Sequence, residues 1–252
     1  LRYGVEYNEK SSFVSCLSSL YNEITNTKIS NRKMREVLTE IVTIDNILEF
    51  HNGNIVKLFD NQNYDEIDIS KYNKSKIYGI LIKETPQLLN KLINALENFH
   101  KYLLDDELII NHTYLWDIVC NPNDKLFPQG INLVILQDNN DDVTNNIDIL
   151  CPPNSLSKFY FDLNKPSFIL YKKNNFYEPL VNYEIKGKKK ILNKLFYLND
   201  GKLPELKKML KKINIVQKES CLPKELRANN VYPFKHNISS HVIINILKEI
   251  NI

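Results

Sequence analysis

In the first half of the chain, apolar residues recur every three to four positions, the spacing that places them on one face of an α-helix. Ser11 or Ser12 is placed to cap the first of these helices, which we expect to end near Ile24. Asn31 is placed to cap a second helix, and a longer helical pattern covers residues 85–104. The pattern therefore predicts a largely helical first half.

The second half contains shorter apolar runs that are typical of strands. Residues 131–136 form the clearest buried strand, and residues 147–150 form a shorter one. Residues 168–171 and 177–183 flank a polar turn, which predicts a β-hairpin. Helices followed by adjacent strands indicate an α+β fold, in which helices pack on a small, mainly antiparallel sheet.

The distribution of charge changes near residue 184, although the net charge of the whole chain is only +3. Residues 184–252 contain 15 Lys and Arg against 6 Asp and Glu, whereas residues 1–183 contain 18 against 24. We therefore expect two domains, an α+β body over residues 1–183 and a basic helical extension over residues 184–252. The extension's candidates for binding nucleic acid or an acidic protein are Lys188, Lys189, Lys190, Lys207, Lys208, Lys211 and Lys212.

The lysines of residues 207–212 recur at helical spacing opposite apolar residues, which is also the pattern of an ordinary solvated helix face. Lysines that displace counterions from phosphates would instead give salt-sensitive binding to nucleic acid. We favour a solvated face or an acidic protein partner over nucleic acid.

Composition argues against several classes of protein. No apolar run approaches the roughly 20 residues that a membrane helix requires, so no membrane partner is expected. The four cysteines form no C-x-x-C pair and the five histidines have no ligand spacing with them, so the sequence predicts neither a metal site nor a cofactor. Free thiols are expected, with two disulfides as the alternative. Leu1 is not a start methionine, and we expect the chain to be a segment of a longer protein.

Two separate segments, residues 9–17 and 168–177, have the context of a cysteine-peptidase site. Papain-like enzymes place the nucleophile at the N-terminus of a helix, where the helix dipole and a histidine from a distant strand stabilise the thiolate. The first segment begins a predicted helix, and the second forms a predicted strand and turn. We therefore expect Ser12 and Phe176 to lie opposite each other in the fold.

These segments resemble the two motifs of the ovarian-tumour-type (OTU) deubiquitinases, which read D-G-N-C-L-F-R-A and I-x-L followed by N-H-Y. In this resemblance Glu9 matches the aspartate, Ser12 stands at the nucleophilic cysteine, and Cys16 falls at the alanine. Tyr177 matches the tyrosine of the second motif, and Phe176 stands at its histidine. The resemblance extends over residues 5–183 in the order of elements and implies a papain-like fold.

Asn, Ile and Lys are abundant whereas Ala95 and Ala228 are the only alanines, as an AT-rich genome would produce. In residues 114–118, 130–135, 149–152 and 176–179 the chain also resembles the large proteins of giant nucleocytoplasmic DNA viruses. This resemblance implies a large viral parent protein, located in the host cytoplasm or the virion, and it implies no activity.

The OTU resemblance implies a domain that has lost catalysis. Serine is a poor nucleophile at neutral pH without a base, and the phenylalanine at position 176 cannot accept a proton. We therefore expect a non-catalytic interaction or structural module, with a protein partner such as a ubiquitin-like protein or another viral protein.

Three alternatives stay open. The chain is an active cysteine peptidase or deubiquitinase if Cys16 is the nucleophile and His112 its base. It is a nucleic-acid-associated module if the basic extension binds phosphates. In the third alternative Ser12 merely caps a helix and Phe176 merely packs a hairpin.

Overall fold

The structure is a computed structural model, and it describes residues 1–5, 8–64, 67–139, 147–153, 157, 160–186, 189–199 and 204–221. Within these residues the fold is α+β. Its α-helices are α1 (Ser12–Thr25), α2 (Asn31–Ile41), α3 (Asn54–Phe59), α4 (Lys76–Glu84), α5 (Pro86–Leu104), α6 (His112–Cys120) and α7 (Pro204–Val216). Short 3₁₀ helices cover Ile47–Gly53 and Ile69–Tyr72, and a π-helical turn, Gln217–Cys221, follows α7.

The predicted helix starts at α1 and α2 are confirmed in position, but their caps differ from the prediction. Ser11 occupies the N-cap position of α1, and its side chain makes no capping hydrogen bond. Ser30, not Asn31, caps α2, because its Oγ accepts the Lys33 backbone N–H at 3.1 Å. The Asn31 amide instead donates to Ser15 Oγ at 2.7 Å and so joins α2 to α1.

The strands are β1 (Asn132–Asp138), β2 (Ile147–Ile149), β3 (Ser167–Lys173), β4 (Phe176–Pro179), β5 (Asn182–Lys186), β6 (Lys189–Asn193) and β7 (Leu195–Phe196). The main sheet has the order β2-β1-β3-β4, and β7 pairs with the first residues of β3. Its pairings are antiparallel except for the longest, which joins β1 to β3 in parallel. Strands β5 and β6 form a separate antiparallel pair, called the ribbon below.

The main sheet is buried on both faces. Successive residues of a strand point to opposite faces, and in β1 and β3 both sets are apolar. On one face Leu133 and Phe168 belong to the core that α1 to α6 build. On the other face Val134 and Ile169 pack with Leu210 of α7. The sheet therefore lies between a layer of helices and α7, an arrangement that requires continuous apolar runs in its strands.

The helical extension predicted over residues 184–252 is wrong in its first part. Residues 189–193 and 195–196 form β6 and β7, and the predicted boundary between residues 183 and 184 falls inside β5. Pairing outweighs local helical spacing here, because β7 satisfies backbone groups at an edge of β3. Helix α7 is amphipathic as predicted, and residues 222–252 lie outside the described part of the chain.

A partly buried ion pair connects this basic region to α1. Lys194 is 8% exposed, and its Nζ donates to one Glu23 carboxylate oxygen at 3.0 Å. Its backbone N–H donates to the other oxygen at 3.1 Å. The Lys194 Nζ also lies 4.8 Å from the centre of the Tyr3 ring. Because lysine is seldom buried without partners, these contacts make Lys194 an anchor between the two regions.

A disulfide joins Cys151 to Cys221 across 70 residues, with their Cα atoms 5.2 Å apart. It connects the segment after β2 to the end of the turn that follows α7. The expectation of four free thiols is wrong for this pair, and the two-disulfide alternative is wrong for Cys16 and Cys120, which are free and buried. Sequence spacing does not reveal the pair, because the folded arrangement of these distant segments brings the two sulfurs together.

The C-terminal end of α5 is held by two arginines of α2 that differ in burial. Arg35 is 2% exposed at its side chain and donates to the Leu103 and Asp105 carbonyl oxygens at 3.1 and 2.9 Å. Arg32 is 52% exposed and donates to the Leu104 carbonyl oxygen at 2.6 Å. The last carbonyl groups of a helix lack partners within it, so both arginines supply missing donors to a partially negative helix end.

Replacing Arg35 with methionine is expected to lower the free energy of unfolding by about 2 kcal/mol, because it removes the donor to the buried Leu103 carbonyl oxygen. The matched change Arg32→Met removes an exposed donor, which water replaces, and is expected to cost less than about 1 kcal/mol. Urea denaturation of both variants measures the difference. Equal losses would show that burial does not set the strength of these contacts.

Candidate functional site at the start of helix α1

The start of α1 and the β3–β4 hairpin lie against each other, as the two-segment pattern predicts. This contact is called the junction below. Ser12 Oγ donates to the Asn175 carbonyl oxygen at 3.2 Å and accepts the Tyr177 backbone N–H at 3.2 Å. Its side chain is therefore held by the backbone on both sides of Phe176. Ser12 is fully buried, so this hydroxyl is not open to a substrate from solvent.

The side chain of Phe176 does not face Ser12. Side chains alternate between the two faces of a strand, and Tyr177 is the residue of β4 that points toward α1. The Tyr177 ring packs edge-on against Phe13 with their centres 5.2 Å apart. Phe176 therefore projects from the opposite face, and the backbone around it, not its ring, contacts Ser12.

Cys16 lies one helical turn after Ser12 and contacts the same strand. Its Sγ donates to the Tyr177 carbonyl oxygen at 3.4 Å, and the residue is fully buried. Burial, and secondarily the negative charge of Glu178, raises the pKa of this thiol well above its ordinary value. Because the thiolate is the reactive form of cysteine, Cys16 has the properties of a buried structural thiol.

His112, the base of the alternative cysteine site, contacts Tyr177. The His112 Nδ1 lies 2.8 Å from the Tyr177 hydroxyl oxygen, and the two rings are 5.9 Å apart between centres. Burial lowers the pKa of His112 to about 4, and the positive charge of Lys172 acts in the same direction. His112 is thus neutral at neutral pH and cannot hold a thiolate as an imidazolium ion pair.

The remaining residues of the predicted site either lie away from the junction or fall outside the residues that the structure describes. Glu9, placed at the OTU aspartate, is exposed in the turn before α1. Lys190 is exposed on the ribbon, Lys188 lies outside the described residues, and the side chain of Lys189 is not described. On α7, Lys207 is half-buried, and the exposed lysines are Lys208, Lys211 and Lys212.

In this arrangement the predicted catalytic groups are engaged in other contacts. The Ser12 hydroxyl is bound to backbone, the Cys16 thiol is buried and protonated, and the closest partner of His112 is a tyrosine. A working nucleophile requires a base within hydrogen-bond reach and a path for substrate. The same contacts are well suited to fixing α1, α6 and the hairpin relative to one another, with Tyr177 at their centre.

Sequence reasoning named Tyr177 only as the tyrosine of the second motif, and it missed a second polar centre at Asp117. Asp117 is 2% exposed, and its carboxylate accepts the His51 backbone N–H at 2.8 Å and the Ser157 hydroxyl at 2.7 Å. It thereby connects Ser157 and His51 to α6, and His51 has a left-handed φ of 50°. The signal in the sequence was a single acidic residue within the apolar run of residues 115–119.

Among the described residues, no three His, Cys, Asp or Glu side chains are grouped so that they could hold a metal ion. In the same part of the chain, no helix has the length and apolar character needed to cross a membrane. No family model, curated protein or solved structure matches this chain.

Proposed function

We infer that the chain is a non-catalytic, OTU-like interaction module of a large viral protein. The order of elements and the two matching segments support the OTU-like part of this proposal, and the AT-rich composition supports the viral part. A protein partner, either ubiquitin-like or viral, remains the proposed ligand class. In this proposal the junction between α1 and the β3–β4 hairpin has a structural role.

The observation that carries the proposal is the burial of Ser12 and the two hydrogen bonds of its hydroxyl. Its hydroxyl stands at the nucleophile position of the resemblance, is fully buried, and is bound on both sides by the backbone of β4 and its turn. The position that the resemblance assigns to the base projects from the other face of the strand. A site with these two properties supports packing and not proton transfer.

The folded wild-type chain is expected to form no adduct with an electrophilic ubiquitin probe, because both free thiols are buried and protonated. Iodoacetamide is expected to modify Cys16 and Cys120 only after denaturation. Mass spectrometry of folded and denatured samples measures both reactions, and the denatured sample is the control that the thiols are chemically competent.

Two variants test the assignment of faces within the junction. The thiol of Ser12→Cys is expected to be alkylated slowly, and adding Phe176→His is expected to leave that rate unchanged because residue 176 points away. A clear increase in the double variant would place the two side chains on one face. A wild-type ubiquitin adduct that Cys16→Ala abolishes would instead establish a cysteine enzyme and overturn the proposed function.

A further inference from the structure

The ribbon presents three apolar side chains to solvent, those of Tyr183, Ile185 and Leu192. Tyr183 lies opposite Leu192 in the register of β5 and β6, and Ile185 lies opposite Lys190. Directly opposed residues share a face, so these four side chains form one surface. Ile185 is 67% exposed, and Tyr183 and Leu192 are 36% and 37% exposed. An apolar cluster on an exposed strand pair is a feature of interaction surfaces, since burying it elsewhere would be favourable.

The ribbon also has two outer strand edges. Within the described residues, β5 and β6 pair only with each other, so each has an outer edge without a further strand. An outer edge presents alternate N–H and C=O groups that a third strand satisfies. A two-stranded pair is only marginally stable in water, and a third strand adds both hydrogen bonds and side-chain contacts.

The positive charge of the ribbon favours some binding partners over others. Strands β5 and β6 contain the three lysines Lys186, Lys189 and Lys190 and one acidic residue, Glu184. A second copy of the ribbon would bring lysines against lysines, which disfavours self-pairing. Nucleic acid would neutralise the lysines, but it has no backbone amides for the strand edge and no aliphatic groups for Ile185.

We propose that the ribbon is a strand-addition site for an extended, acidic segment of a protein partner. The segment pairs with an outer edge of the ribbon through its backbone. On the exposed face of the ribbon, its apolar side chains lie beside Tyr183, Ile185 and Leu192, and its carboxylates lie beside Lys190. This site rests on the proposed function, because it gives the interaction module a surface and a class of partner.

The probe for this site is a short, acetylated, fluorescein-labelled peptide with serine at every second position and valine and glutamate in turn between the serines. Valine and glutamate then lie on the same face of the added strand. The peptide is added to the full chain. Fluorescence anisotropy is expected to report binding that weakens with salt. The variants Ile185→Glu and Lys190→Glu are each expected to weaken it by about tenfold or more, because each sets a negative charge against the carboxylates of the peptide. Hydrogen exchange is expected to show new protection at residues 182–193.

Helix α3 provides matched controls, because it carries an exposed apolar residue next to an exposed lysine. Leu58→Glu and Lys57→Glu make the same changes at residues of comparable exposure and are expected to leave peptide affinity unchanged. A second control peptide carries N-methyl groups on alternate residues, which removes the hydrogen bonds of an added strand but keeps its charge. This peptide is expected not to bind.

Several outcomes would contradict the proposed strand-addition site. Equal binding of the N-methylated peptide, or equal losses in the α3 variants, would reduce the interaction to general charge attraction. Stronger binding of a single-stranded oligonucleotide than of the peptide, lost in Lys190→Glu, would assign the ribbon to nucleic acid. Absence of peptide binding would reject the strand-addition site and leave the non-catalytic proposal standing, since that proposal fails only if the wild type reacts with the ubiquitin probe or cleaves a substrate.

Discussion

Replacing Cys151 with serine is expected to lower the free energy of unfolding by about 4 kcal/mol in the absence of reductant. The disulfide to Cys221 closes a loop with a sequence separation of 70 residues, and a cross-link of that span removes much of the conformational entropy of the unfolded chain. Chemical denaturation of the wild type and the variant measures the loss. A reductant is expected to bring the wild type down to the stability of the variant and to leave the variant unchanged.

A double-mutant comparison is the control for this prediction. Cys221→Ser and the combination of both changes are expected to cost about as much as Cys151→Ser alone, because any one change removes the same bond. Additive losses would mean that the two cysteines act independently and are not joined in solution. An effect far below about 2 kcal/mol in all three variants would contradict a loop-closing role for the bond.

Acidification is expected to remove about 3 kcal/mol of stability through His112 alone. Its pKa in the folded chain is about 4, against 6.5 for an unperturbed histidine. The unfolded chain therefore binds more protons between these two values, so the stability is fully present above pH 6.5 and is lost as the pH falls to about 4. The 3 kcal/mol is an order-of-magnitude figure that follows from about 1.4 kcal/mol for each unit of pKa.

The variant His112→Gln tests this linkage. Glutamine keeps a polar partner for the Tyr177 hydroxyl but does not titrate, so its unfolding free energy is expected to fall less steeply over the same range of pH. Burial also lowers the pKa values of His51 and His100, so some dependence remains in the variant. Nuclear magnetic resonance titration of the His112 ring gives its pKa directly. A value near 6.5, or equal slopes in both proteins, would contradict the prediction.

The elements that could be predicted from the sequence are those whose own pattern decides their structure. The longest helix begins at Pro86 and ends at Leu104, as its proline start and apolar spacing indicate. The apolar run of residues 131–136 becomes β1 because an unbroken run of this length has to be buried. The meeting of Ser12 with the β3–β4 turn also follows from local context, since both segments carried an apolar face toward a common core.

The features that could not be predicted depend on tertiary contacts. Residues 195–196 have no strand signal of their own and become β7 only because an edge of β3 is available. Sequence matching placed Phe176 opposite Ser12, but the pleat of β4 decides which side chain turns inward, and that residue is Tyr177. The partner of Cys151 was likewise hidden, because a spacing of 70 residues contains no information about which ends of elements meet.

Because the sheet is buried on both faces, its two faces are covered at different times while the chain is synthesised on the ribosome. The helices that cover one face precede β1 and β3, so that side of the sheet has its partners as soon as β3 emerges. The other face, with Val134 and Ile169, is completed only when α7 has been synthesised. Until then the nascent chain displays an apolar surface of the kind that chaperones bind and that drives aggregation.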